Sequence, residues 1–272
     1  FNDTRKWILS VSVTKIINIF KEKTMIKRIL STFLSLMMVS FLIGQNNKNV
    51  WRTWYITAKD GKVKQLEKGL AEHVAKFHGP GSWPEYYFDI LSGPNAGSLM
   101  GFSGPHTWKD FDDRERSQAD VDHWNKYVLP NSVNNNSIDF WVFSPDLTYG
   151  EEMNEYFHIS YNYLNPGTDV EYVEFLEAVK KTKEANKSPV NHEIYKVVSG
   201  KNPDTWVWLY PMKNMEELSG STQIVGGGLS MASVLGEKEA KRLNKIYQKV
   251  VKSRMREIIK SRPDLSTSSN NN

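Results

Sequence analysis

The sequence predicts an α+β chain in which one strand–helix–strand–strand–helix–strand unit occurs twice. Three observations predict it: short alternating apolar runs bounded by turn residues, helical three-and-four spacing between them, and motifs that return in the same order about 107 residues later. Ile90-Leu91-Ser92-Gly93-Pro94-Asn95 matches Val197-Val198-Ser199-Gly200-Lys201-Asn202 at that offset. Trp108-Lys109-Asp110-Phe111 matches Met215-Glu216-Glu217-Leu218 at the same offset. Ser144-Pro145-Asp146-Leu147 returns as Arg262-Pro263-Asp264-Leu265, a drift that loop insertions produce.

The elements follow in order. Trp51 to Ala58 alternates and is rich in aromatics, so it reads as a strand. Val63, Leu66, Leu70, Val74 and Phe77 recur at helical spacing, and His78-Gly79-Pro80 stops that helix. Tyr86 to Leu91 is a strand, Gly93 to Gly97 a turn, and Leu99 to Ser103 the third strand. Asp120 to Leu129 is a helix carrying Val121, Trp124 and Val128, and Ile138 to Phe143 is the fourth strand. The second copy runs Tyr156 to Tyr163, Val170 to Ala185, His192 to Val198, Trp206 to Tyr210, Glu237 to Val251 and Met255 to Lys260. Two such βαββαβ units give tandem ferredoxin-like repeats over 48–150 and 151–266. Their antiparallel sheets are expected to pack face to face, each covering the bare surface of the other. Residues 267–272 hold only Thr, Ser and Asn and read as a disordered tail.

Charge narrows the function classes. The 272 residues carry a formal +4, but seven of the 35 Lys/Arg and two of the 31 Asp/Glu fall in residues 1–44. The remaining 28 basic and 29 acidic residues are balanced, which argues against a nucleic-acid surface. Met25-Ile26-Lys27-Arg28 followed by the apolar run Ile29 to Ile43 and Gly44 reads as a secretory signal peptide over 25–44. The run is too short for an ordinary membrane span. Residues 1–24 read as an upstream segment without a fold of its own. The expectation is an exported protein, periplasmic or secreted, with no membrane span after cleavage. Cysteine is absent, so disulfides, thiolate nucleophiles and Cys-ligated metals are excluded.

Strand parity divides the side chains into two faces. One collects Trp54, Ile56, Phe88, Ile90, Met100 and Phe102 with Phe157, Ile159, Tyr195, Val197 and Val207, and is expected under the helices. The other collects Tyr55, Glu85, Tyr87, Asp89, Asp139, Trp141 and Phe143 with His158, His192, Lys196, Trp206, Trp208 and Tyr210. Its aromatics argue against open solvent and its ionisable groups against an ordinary core. A seam between the two sheets satisfies both. Across the third strands, Trp206, Trp208 and Tyr210 stand where the first copy has Leu99, Gly101 and Ser103. That asymmetry is either filled by neighbours or left as a pocket.

With both sheets assembled, the chain resembles the dimeric α/β-barrel superfamily of the antibiotic-biosynthesis monooxygenases, with both halves fused in one chain. The resemblance spans roughly 50 to 265 and rests on topology, the Ser-Gly-x-Asn hairpin and the short helix after the third strand. It implies cofactor-free or haem-linked oxygenases, isomerases, or relatives without a reaction, and the fold does not choose among them. The haem-degrading branch implies an Asn on the first strand, a Trp on the third and a His on the second helix. Asn162, Trp206 and Trp208 supply two of these in the second copy and His123 the third in the first, so neither copy holds the set.

Three readings of function remain, and whether the chain is an enzyme stays open. One is a binder of a small apolar or aromatic ligand, in a cavity between the sheets lined by Tyr55, Tyr87, Trp141, Trp206, Trp208 and Tyr210. Another is an oxygenase or isomerase with His158 or His192 as general base and Glu85 as its carboxylate neighbour. The third is an interaction protein without a small-molecule site. No metal set is read, because two histidines need a third ligand such as Glu85 or Asp89. His73 and His123 read as satisfied core histidines, Gly226-Gly227-Gly228 as a plain loop, and His78 to Trp83 as a connector. The cofactor is undetermined, and the state is a monomer or a homodimer.

Overall fold

The computed structural model describes residues 48–79, 83–133, 137–150, 153–218 and 231–268. The upstream segment 1–24, the signal-peptide reading of 25–44 and the triglycine loop lie outside the described residues. Nine strands form one antiparallel sheet: β1 (Val50–Ala58), β2 (Tyr86–Ser92), β3 (Leu99–His106), β4 (Ser132–Val133), β5 (Ile138–Phe143), β6 (Tyr156–Leu164), β7 (Glu193–Ser199), β8 (Thr205–Met212) and β9 (Val251–Ser261). Among the described residues six helices cover it: α1 (Val63–Phe77), α2 (Trp108–Asp112), α3 (Gln118–His123), α4 (Asp169–Asn186), α5 (Met231–Leu235) and α6 (Glu237–Val250). A π-helical turn, Trp124–Val128, continues α3. Among the described residues no helix is long and apolar enough to cross a membrane.

In the first half the strands lie in the order β5-β1-β3-β2, and in the second β9-β6-β8-β7. The edges of the two sheets then pair. β2 runs antiparallel to β9 and β5 to β7, so eight strands close into a barrel within one chain. The expected face-to-face packing is corrected by this edge pairing. A pair of open four-stranded sheets would leave four edges of unpaired N–H and C=O groups, and closure removes all of them.

Closure turns one face of each barrel strand to the barrel axis, and the helices bury much of the other face. Inward lie Phe88, Ile90, Met100, Phe102, Trp141, Phe157, Ile159, Tyr161, Tyr195, Val197, Val207 and Ile259, a core built by both halves. Outside, Trp54, Ile56, Leu66, Leu70, Val74, Tyr87, Leu99 and Val128 pack the first half beneath α1 and the π turn. Tyr172, Phe175, Leu176, Val179, Ile194, Trp206, Trp208, Tyr210 and Leu243 pack the second beneath α4 and α6. Each large side chain so buried contributes about 1.5–3 kcal/mol.

The unequal third strands are filled rather than hollow. Gly101 pairs with Trp54 across β1 and β3, and Trp208 pairs with Ser160 across β8 and β6. A Cβ on Gly101 would come within 2.3 Å of the Trp54 ring. The large and small partners have exchanged strands between the halves, which keeps the volume of each outer layer filled. Thr267, expected in the tail, is buried: its N–H donates to the Glu85 carbonyl at 2.7 Å and its hydroxyl to the His78 carbonyl at 2.6 Å.

Candidate functional site

The barrel is polar inside at one level and apolar at its mouth. Glu257 on β9 is fully buried, with the hydroxyls of Tyr55 and Tyr161 at 3.1 and 3.2 Å from its Oε2. Asn95, from the Ser-Gly-x-Asn hairpin, donates to its Oε1 at 2.7 Å. Gly93 of the same hairpin adopts φ +93°, and a Cβ there would lie 2.6 Å from the Arg256 carbonyl, so the close approach requires glycine. Burial, with Glu257 alongside, pushes both phenols above their ordinary range and holds them as protonated donors.

The mouth is a cavity of about 570 Å³. Its wall takes an inward-facing residue from each of the eight barrel strands: Trp51, Phe88, Phe102, Phe143, Phe157, Tyr195, Leu209 and Ile259. Lys48 and Glu193 stand among these apolar groups, and the Tyr195 hydroxyl donates to Glu193 at 2.6 Å.

A second concentration of chemistry lies outside the barrel, in the first half. His73 on α1, His78 just after it, Asp120 on α3 and Glu85 just before β2 are all buried. His73 Nε2 is 3.3 Å from His78 Nε2 and 3.4 Å from Asp120 Oδ1. His78 Nε2 is 3.7 Å from Glu85 Oε1. His78 Nδ1 donates to the Trp83 carbonyl at 2.6 Å, which leaves the lone pair on its Nε2. Arg116 grips Asp120 through two hydrogen bonds of 2.7 and 3.0 Å. Burial raises the Asp120 carboxyl, but the Arg116 fork outweighs it and the net shift is downward. Burial and the neighbouring His78 lower His73 to about 4, so its ring is neutral at physiological pH. Two cavities flank the cluster. One of about 290 Å³ touches His73 and Glu85, and one of about 690 Å³ touches His78 and Asp120. The ligand atoms of His73, His78 and Asp120 lie within 4.8 Å of one another, so these three could hold a metal.

The residues expected to share one seam are distributed over three layers. Tyr55 and Trp141 do face the barrel interior. Glu85 and Tyr87 face outward in the first half, where Tyr87 donates to Glu85 at 2.9 Å. His158, His192, Trp206, Trp208 and Tyr210 lie beneath the helices of the second half, not between the sheets. The correction has a physical reason. The helix layer supplies their polar partners: Trp208 donates to the Tyr172 hydroxyl at 2.8 Å and Trp206 to Asp169 at 2.7 Å.

His192 and Glu85 hold matching positions before β7 and β2, yet each serves its own half. The His192 Nε2–H donates to the Leu147 carbonyl at 3.1 Å, so its Nδ1 accepts from Lys183 Nζ at 2.7 Å. Burial and that cation lower His192 to about 3. The His192 ring is fully buried and its lone pair accepts from Lys183. His158 is buried and stacked on Tyr210, and burial lowers it to about 4. Both ring nitrogens of His192 are engaged, one by the Leu147 carbonyl and one by Lys183.

Sequence reasoning missed Lys183, Glu257, His78 and Asp120 as members of sites. Lys183 sits within an ordinary charged run of α4, Glu257 in a basic strand, and His78 in a helix stop. None has a spacing signal, because their partners come from distant segments.

No protein family and no curated protein matches the chain in sequence. Solved structures do. A "putative monooxygenase" from Lactobacillus acidophilus NCFM aligns with TM-score 0.50 and 11% identity over 82% of this chain and 97% of that one. An anthrone oxidase-like protein aligns with TM-score 0.50 and 12% identity over 80% and 93%. The chain has the dimeric α/β-barrel fold. At these identities the likeness is one of fold alone.

Proposed function

We propose that the chain binds a small apolar or aromatic molecule in the mouth of its barrel. The observation that carries this is the cavity of about 570 Å³, walled by aromatic and aliphatic groups from all eight strands. Its volume lies in the range of small-molecule sites. The proposed occupant presents an apolar body to Phe88, Phe102, Phe157 and Leu209, and a polar end to Lys48 and Glu193. The site differs from the seam read off the sequence in its residues, though not in the ligand class. A monooxygenase reading, which one structural neighbour's description suggests, would use the same cavity. The described lining groups able to exchange a proton there are Lys48, Tyr86, Glu193 and Tyr195, and no histidine is among them.

We also read the two halves as tandem ferredoxin-like repeats, supported by the matching orders β5-β1-β3-β2 and β9-β6-β8-β7. We further propose, on the signal-peptide reading of 25–44, that the protein is exported and binds its ligand outside the cytoplasm.

The test is a calorimetric titration with 2-naphthol. One saturable site is expected, and Leu209→Trp, which fills the cavity, weakens it at least tenfold with little change in the urea midpoint. Absence of saturable binding, or equal binding by the filled variant, overturns the proposal.

A further inference from the structure

We propose that His73, His78 and Asp120 form a binding site for a tetrahedral divalent transition-metal ion of the zinc type, with Glu85, 3.7 Å from His78, nearest to the fourth position. The site is separate from the barrel mouth and independent of what the mouth binds.

The distances separate an ion site from a plain hydrogen-bond network. Good N–H···O bonds in proteins lie between about 2.7 and 3.2 Å. Here the three contacts are 3.3, 3.4 and 3.7 Å. Donor atoms held about 2.0–2.1 Å from a tetrahedral ion are about 3.4 Å from each other. The two contacts around His73 Nε2, of 3.3 and 3.4 Å, have the length of tetrahedral edges, and the ligand atoms of His73, His78 and Asp120 all lie within 4.8 Å of one another. Two imidazoles and two carboxylates are also the donor set that zinc and ferrous ions accept.

The tautomers point the same way. His78 carries its proton on Nδ1, bonded to Trp83, so its Nε2 lone pair faces His73 Nε2. If His73 donates from Nδ1 to His123, at 3.3 Å, two lone pairs meet across 3.3 Å, an arrangement that calls for a cation between them. If it keeps the proton on Nε2, its acceptors are His78 Nε2 at 3.3 Å and Asp120 at 3.4 Å, both long.

Each donor is also held from behind, as metal ligands are. Trp83 holds His78, His123 holds His73, Arg116 holds Asp120, and Tyr87 holds Glu85. The two flanking cavities provide an entry path.

The opposing effect is electrostatic. Arg116 is bonded to Asp120, Arg52 reaches Glu85 at 3.4 Å, and Arg114 lines both cavities. Their charge offsets that of the carboxylates, so binding is weaker than in a site of four free anionic ligands. It is also weakened by any loss of Asp120 or Glu85 charge.

The experiment uses chelator-treated full chain titrated with Co(II) and followed by visible absorption, then displaced with Zn(II). One equivalent is expected to give the strong d–d bands of a tetrahedral centre, removed on adding Zn(II). His78→Gln and Asp120→Asn are expected to weaken Co(II) binding at least tenfold, whereas His158→Gln, in the other half, leaves it unchanged. Should a cluster variant fail to fold, histidine-ring NMR of the unaltered protein decides. One equivalent of Zn(II) must shift the rings of His73 and His78 and leave those of His158 and His192 in place. No tetrahedral spectrum, binding that survives in a folded His78→Gln variant, or ring shifts confined to other histidines overturns the proposal.

Discussion

Lys183 makes the most demanding prediction, because it is a lysine with no exposed surface. Its ammonium donates to the Val190 carbonyl at 2.9 Å and to His192 Nδ1 at 2.7 Å, with no carboxylate among its partners. Burial lowers it from 10.5 to about 7. The sign follows from proton counting. Between about pH 7 and 10.5 the unfolded chain holds the Lys183 proton and the folded chain has released it. Stability therefore rises with pH across that window, by up to ~1.4 kcal/mol per pH unit, and is flat with respect to this group below it. The whole span amounts to about 4–5 kcal/mol. Lys183→Met deletes the titration while keeping a long apolar stem. It also strands two buried acceptors, at a pH-independent cost of about 1–3 kcal/mol each. The variant is thus less stable than the parent near pH 10, and the difference shrinks or reverses near pH 7. Urea unfolding of both proteins from pH 6.5 to 10 measures this, and taking the difference cancels the tyrosines that titrate in the same range. Parallel curves would refute the reasoning, since they would mean that the ammonium reaches water in the folded state.

Three further outcomes follow from packing and polar satisfaction. Gly101→Ala drives a methyl group into the Trp54 ring and lowers stability by about 1–3 kcal/mol. Adding Trp54→Leu recovers most of that loss in guanidinium unfolding, and strict additivity of the pair would contradict the contact. Glu257→Leu leaves the hydroxyls of Tyr55 and Tyr161 and the amide of Asn95 without their shared acceptor, and costs about 2–4 kcal/mol. Glu257→Gln, which keeps an acceptor oxygen, costs clearly less. Asp169→Asn weakens the contacts to Lys196 and Trp206 at a half-exposed site, so its effect stays within about 1 kcal/mol and shrinks further in high salt.

The strands and helices were legible because their signals are local. The helix from Val63 to Phe77 and the strand from Ile138 to Phe143 have the bounds that spacing and turn residues suggest. The π turn after His123 was not, since its bonding pattern depends on packing against α1 and has no distinctive composition. The face assignment failed for Phe88, Phe102, Phe157 and Val207, which point into the barrel rather than toward the helices. It held for Trp54 and Ile56, which lie beneath the first half's helices. Alternation says that a strand has two faces. It names the inner one only where the other meets water, and here helices cover much of the outer face.

By itself the sequence determined the α+β class, the order of elements and their approximate bounds, all of which follow from neighbours along the chain. Only the tertiary structure decided that the sheets join at their edges and that the aromatic face of the second half turns to its own helices. It alone brings His73, His78, Glu85 and Asp120 together from separate segments. Those outcomes depend on which surfaces meet once the barrel closes, and proximity created by closure leaves no periodic mark on the chain.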